Sequence, residues 1–221
     1  LCADDAGAFP NRPPKFVIPF LSDIWRTLLM TSTFHQKDFV ESLFFQDLAV
    51  APELDDYVRA RKMDLIDHVE TSFYENELDL ELIKLTMGCV EPFFIEAGKR
   101  LEKSSLQVLK MWTQRYGKFA YHPIHVHGLS AFHYSFVFYI DCTEESGCTM
   151  FYSVGYPYVD HTNFKVHPKV GRCVLFPGAM PHEAMPNHDD KRIIVSGNIV
   201  YFDKERLTQT PGLNLGVAGT Y

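Results

Sequence analysis

From about Leu106 to Phe202 the chain is a succession of short, aromatic and β-branched segments set apart by turn residues, and this texture limits the fold more than any other feature. LQVLKMWTQRY, SAFHYSFVFYIDC, GCTMFYSV, NFKVHP, GRCVLFP, PHEAMP and KRIIVSGNIVYF all read as strands. Seven or so short strands with turns between them imply a sandwich or jelly roll, in which two sheets bury each other's apolar faces.

The preceding half has a different period. From about Leu21 to Lys110 the chain reads mainly as helix. In DDYVRARKMDLIDHVETSF, Val58, Met63, Leu65, Ile66 and Val69 recur near helical spacing. In ELDLELIKLTMGCVEPFFIEAGKRLEK, Leu82, Ile83, Leu85 and Met87 do so ahead of Pro92, a residue able to interrupt or begin a helical turn. Residues 1–14 read as extended, and nothing resembles a flexible linker. The expectation is a single α+β domain over 1–221: a mainly helical region at 1–105, a jelly-roll core at 106–202 and a C-terminal tail at 203–221.

Composition excludes several function classes. The chain is 46% hydrophobic and 22% charged, enough to bury a core, and its formal net charge of −7 disfavours binding to a phosphate backbone. No stretch of about 18 apolar residues is present, so no membrane span is expected. The opening residues lack a basic, apolar signal pattern, and a cytoplasmic protein is expected. Cys2, Cys89, Cys142, Cys148 and Cys173 match no zinc framework and are expected to be reduced thiols.

Chemistry concentrates on histidine. Five of the ten histidines lie between His122 and His161, three of them in His122-Pro-Ile-His125-Val-His127. On an extended strand, residues two apart share a face, so His125 and His127 can aim both imidazoles at one point. Neutral imidazole is the commonest protein metal ligand. A third candidate is His182, after the apolar strand Cys173–Phe176 and a Pro-Gly turn. Arg192 follows ten residues later. His182 and Arg192 are equidistant from Asn187 in turn-forming sequence, so an antiparallel hairpin would make them cross-strand neighbours. A forked, permanent cation beside a metal suits a carboxylate ligand.

Trp112, Gly117, His125-Val-His127, Ser135-Phe-Val-Phe-Tyr139, Gly171-Arg-Cys-Val-Leu-Phe-Pro177, His182, Arg192, Ser196 and Asn198 together resemble the Fe(II)/2-oxoglutarate-dependent oxygenase superfamily, nearest to bacterial and phage members of its prolyl-4-hydroxylase-like branch. The resemblance covers about Leu106 to Phe202. It implies a double-stranded β-helix, with Fe(II), 2-oxoglutarate and O2 as cofactors. It implies His125 and His182 as metal ligands and Arg192 as partner of the far carboxylate of 2-oxoglutarate. Ser196, Asn198 and Tyr139 would line the cosubstrate pocket, and Trp112 would be a core or pocket-wall aromatic. The implied activity couples oxidative decarboxylation of 2-oxoglutarate to hydroxylation of a substrate C–H bond, in a small molecule or a peptide side chain.

This sequence departs from the family at one position. The superfamily's usual motif is His-x-Asp or His-x-Glu, and His127 stands where the carboxylate would be. Three ligand sets are open. His127 itself binds, giving His125, His127 and His182, the preferred set. Alternatively, His127 lies behind the metal and Asp141, Glu183 or water completes the site. In the third, His122 and His125 contribute. A three-histidine cupin that uses O2 without 2-oxoglutarate, or a non-catalytic metal-binding jelly roll, are the rival readings. The loop Gly155–His161 is a candidate border of the site's mouth. For the helical half, packing on the sheet and formation of a homodimer are both open, with a weak preference for the homodimer.

Overall fold

A computed structural model describes residues 42–203 apart from 67, 129–131, 154 and 159–160, together with the backbone of two strands, β1 (Val17–Pro19) and β2 (Phe34–Asp38). The expected extended N-terminal segment, the tail beyond Asp203 and Cys2 lie outside the described residues. The described chain continues as β3 (Ser42–Asp47), α1 (Pro52–Ala60), β4 (Asp64–Ile66), β5 (Val69–Thr71), α2 (Leu80–Arg100), β6 (Ser105–Tyr116) and β7 (His122–His125). It ends with β8 (His133–Asp141), β9 (Thr149–Tyr152), β10 (Asn163–Val166), β11 (Arg172–Pro177), β12 (His182–Ala184) and β13 (Arg192–Phe202).

The strands form two sheets. The major sheet runs β2-β3-β11-β8-β13-β6-β5-β4, with β1 also on β6, and the minor sheet runs β10-β9-β12-β7. Every pairing is antiparallel. Alternation along the central strands divides the interior into two cores. On one face of the major sheet Phe136, Phe138, Ile193, Val195 and Ile199 meet Leu54 and Val58 of α1 and Leu82, Val90, Phe93, Phe94 and Ala97 of α2. On the other, Tyr116, Val137, Tyr139, Phe176 and Ile194 face Phe151 and Ala184 of the minor sheet. The helices therefore back the major sheet, and the space between the sheets is left for the site.

Local chemistry supports each helix. Pro52 stands in the first turn of α1, where its missing N–H costs nothing. The Asp79 side chain caps α2 by accepting from the Leu82 amide at 2.9 Å. Contrary to an interruption, α2 runs through Pro92. Tyr201 at the end of β13 donates to the Phe94 carbonyl at 2.8 Å, tying the sheet to this helix.

The mainly helical reading of the N-terminal region needs correction. The described part holds two helices, but β3, β4 and β5 are strands of the major sheet. In DDYVRARKMDLIDHVETSF only the first residues are helical. The remainder forms the β4–β5 hairpin, turning at His68 with φ 69°. Leu65, one of the periodic apolar residues, is 69% exposed. A short apolar run fits either period, and pairing of β5 with β6 decided between them. The Arg115 guanidinium then fastens α1 to this edge, donating to the carbonyls of Val58, Arg59 and Arg61 and to Glu70.

Candidate metal centre

The ring atoms of His125, His127 and His182 that could hold a metal lie within 4.8 Å of one another, and these residues are the one such group among the described residues. His182 opens β12 and pairs with His125 of β7 on one side and Phe151 of β9 on the other. His127 lies two residues past the end of β7, so the His-x-His pair converges through a bend and not along a regular strand. The bend is held by Gly178, whose carbonyl accepts the amides of His127 at 2.8 Å and Gly128 at 3.2 Å. The His133 ring packs here: a Cβ on Gly128 would come within 1.9 Å of it, and one on Gly178 within 3.1 Å. The Phe-Pro-Gly turn thus positions His182 through the chain and His127 through a backbone carbonyl.

Two of the three imidazoles have a fixed tautomer. His125 Nδ1 lies 2.7 Å from the Pro123 carbonyl and His182 Nδ1 3.0 Å from the Met180 carbonyl. A carbonyl only accepts, so both Nδ1 atoms carry the proton and both Nε2 lone pairs are presented to the site. Burial holds His125, His127 and His182 below the usual histidine range, His127 at about 3. The rings are therefore neutral near pH 7, as metal ligation requires. Trp112 stacks on His127, and Phe151 and Phe176 contact His182. This aromatic wall gives Trp112 its place at the side of the pocket.

Neither alternative carboxylate joins the group. Glu183 alternates with His182 and accepts from the Tyr152 hydroxyl. Asp141 pairs with Arg59 at 2.8 Å. His122 stacks on His125 at 4.1 Å between ring centroids and lines the cavity without entering the triad.

Arg192 faces the same cavity, but the expected hairpin is absent. β12 and β13 belong to different sheets, so His182 and Arg192 approach across the space between sheets and not across a ladder. Asn187, at the predicted turn, is fully buried and bonded to Gly147, Tyr116 and Asp189, which redirects the chain between the sheets. Arg192 is 1% exposed. Its Nη2 donates to Thr149 Oγ1 at 3.1 Å, while Nε and Nη1 have no partner among the described residues. The guanidinium lies over the Tyr116 ring at 4.6 Å and the Tyr139 ring at 5.5 Å. Burial pushes both phenols up, Tyr116 to about 12, so neither offers a counter-charge.

The predicted pocket residues separate. Ser196 lines the cavity with Arg192. Tyr139 is fully buried behind it and bonds Thr149 Oγ1 at 2.6 Å, bracing the arginine's own partner. Asn198 lies farther along β13, bonded to Ser135 at 2.8 Å, and is not part of the cavity lining around Arg192. The loop ring Tyr156 packs on Tyr152, which alternates with the inward Phe151, so this part of the loop covers the outer face of the minor sheet. Thr149, Tyr116 and Gln114 line the cavity and were not singled out from sequence. Alternation along β6 from Trp112 was the available signal for the last two.

Comparison with known proteins follows the same boundaries. Residues 110–198 match the family model described as "Putative 2OG-Fe(II) oxygenase". Over this stretch the chain is similar to the 2OG-Fe(II) oxygenase superfamily. Iron and 2-oxoglutarate are the cofactors of that superfamily. Among solved 2OG-Fe(II) oxygenase structures, the non-haem α-ketoglutarate-dependent epimerase SnoN from nogalamycin biosynthesis aligns with TM-score 0.54 and 13% identity, over 80% of this chain and 87% of that one. HygX from Streptomyces hygroscopicus, solved with nickel and 2-oxoglutarate, aligns with TM-score 0.52 and 11% identity, over 72% and 83%. At these identities the likeness establishes the shared fold. Among curated protein sequences none matches at a significant level. No helix among the described residues is long and apolar enough to cross a membrane.

Proposed function

We propose that this chain is a 2-oxoglutarate-dependent dioxygenase that hydroxylates a substrate C–H bond, with His125, His127 and His182 holding Fe(II) and Arg192 pairing with the far carboxylate of 2-oxoglutarate. The observation that carries the reading is the buried Arg192 guanidinium, which among the described residues has two unpartnered nitrogens and no carboxylate. A buried cation without a counter-ion is costly, so the fold retains it for an anion that arrives later. Its partner Thr149 is two residues along β9 from Phe151, the neighbour of His182. At about 3.3 Å per residue these two backbone positions are about 7 Å apart, and the guanidinium and the triad line one cavity.

The donor set fits the metal. Three neutral imidazoles on one side of an aromatic pocket suit a divalent transition ion with open positions. They leave its double charge uncompensated, and a dianionic cosubstrate balances it. Bound iron and 2-oxoglutarate supply the oxidising chemistry, turning 2-oxoglutarate and O2 into succinate and CO2 as the substrate is oxidised. The chain's own work is orientation: Pro123 and Met180 fix two ligand rings, Gly178 fixes the third, and Trp112, Phe151 and Phe176 exclude water.

The test is an anaerobic titration of metal-free protein with Fe(II) and then 2-oxoglutarate, followed by visible absorption. A weak charge-transfer band that needs both additions supports the reading. Metal binding without such a band favours the 2-oxoglutarate-independent cupin, the reading that His127 in place of a carboxylate supports, or a non-catalytic metal module. Both leave Arg192 unexplained.

A further inference from the structure

The face of the major sheet that floors the cavity continues beyond the triad. Register places Arg192 beside Tyr116, Ile194 beside Gln114, Ser196 beside Trp112 and Asn198 beside Lys110. On the other flank of β13, Asn198 pairs with Ser135. Residues of one parity share a face, so this floor runs from Arg192 at one end to Lys110, Asn198 and Ser135 at the other. The triad stands above its middle, because His127 stacks on Trp112. The Lys110 row is one alternation past Trp112, about 7 Å by strand rise, on the side away from Arg192.

The two ends differ in exposure. Arg192 is closed in, whereas Lys110 and Asn198 are half-buried. The Lys110 ammonium lies over the Phe73 ring at 4.6 Å, and Phe73 packs edge-on against Trp112. Among the described residues Lys110 forms no ion pair. Ser135 donates to Asn198 Oδ1, fixing that amide beside the lysine. A cation, an oriented amide and an aromatic edge form a half-open polar end.

We propose that Lys110, Asn198 and Ser135 form the subsite for the substrate to be oxidised, and that this substrate carries a carboxylate. The inference rests on the oxygenase reading, which assigns the closed Arg192 end to 2-oxoglutarate and leaves the open end to the substrate. Lys110 supplies the charge and Asn198 a hydrogen-bond donor, while the reacting carbon extends back over Trp112 towards the metal.

The experiment uses the full chain loaded with Ni(II) and 2-oxoglutarate, titrated with N-acetyl amino acids and their N-methylamides, pairs that differ in charge at one end. The expected result is an acid that binds at least tenfold more tightly than its amide. Lys110→Met should abolish that preference, Lys110→Arg should retain it, and neither should change the affinity for Ni(II) or 2-oxoglutarate. Equal binding of acid and amide, binding of no acid, or an unchanged preference in Lys110→Met overturns the proposal. So does a loss of 2-oxoglutarate affinity in Lys110→Met, which would assign the lysine to the cosubstrate. If the native chain fails to take up Ni(II) and 2-oxoglutarate before any acid is added, the oxygenase reading itself falls and the subsite falls with it.

Discussion

His127 Nε2 and His182 Nε2 lie 3.2 Å apart. Because the Met180 carbonyl holds the proton of His182 on Nδ1, its Nε2 offers a lone pair, and the approach of a second ring nitrogen needs a proton or a cation between them. His182→Ala is therefore expected to remove metal binding, read by calorimetry with Fe(II) or Ni(II), while circular dichroism remains native. Metal affinity within threefold of the native value would exclude His182 as a ligand.

The same burial makes metal-free stability pH-dependent. His127 is held at about 3 in the folded chain against 6.5 for an ordinary histidine. Below about pH 6.5 the unfolded chain takes up a proton that the folded chain refuses, so stability is full above that pH and falls as pH drops towards 3. Urea melts of metal-free protein at pH 7.5 and 5 should show this loss, and His127→Phe should make it shallower. Equal slopes would mean that His127 is not the group responsible.

Arg192→Met separates the two halves of the site. Removal of a buried, unpaired charge should leave the metal-free protein at least as stable as the native chain, with a gain of about 1–3 kcal/mol. The same variant should bind metal normally and lose 2-oxoglutarate affinity by a hundredfold or more. A large fall in melting temperature would show that the arginine supports the fold.

Gly128→Ala tests how the third imidazole is placed. The new Cβ would stand 1.9 Å from the His133 ring, and the bend that carries His127 would have to shift. Metal affinity is expected to fall about tenfold or more, in the range of other losses of ligand support, with little change in the melting temperature of the helical layer.

Arg115→Ala addresses the fold alone. It removes the contacts that join α1 to β5 and β6, and a loss of about 2–3 kcal/mol is expected from hydrogen bonds to a charged group. Chemical denaturation should show the loss, with metal affinity unchanged.

Local pattern was sufficient for much of this molecule. The strands after Leu106 and the α2 helix follow from period and turn residues, which neighbouring residues determine, whereas His125, His127 and His182 meet through the β7–β12 pairing and the distant Gly178 carbonyl. Distant pairing decided the rest. The apolar residues after Arg61 became a hairpin because β5 had β6 to pair with. A bulge at Leu109 lets Asn198 pair with Lys110 and Ile199 with Val108, which turns Val108 to the helix-side core beside Ile199 while Lys110 stays on the face of Trp112; one inserted residue reverses which side a chain presents. Arg192 and His182 meet because two sheets stack, not because a turn joins their strands. The residue types at the site were therefore set by sequence. Which of them share a cavity, and at which end, was set by sheet register and packing, because those depend on contacts between residues far apart in the chain.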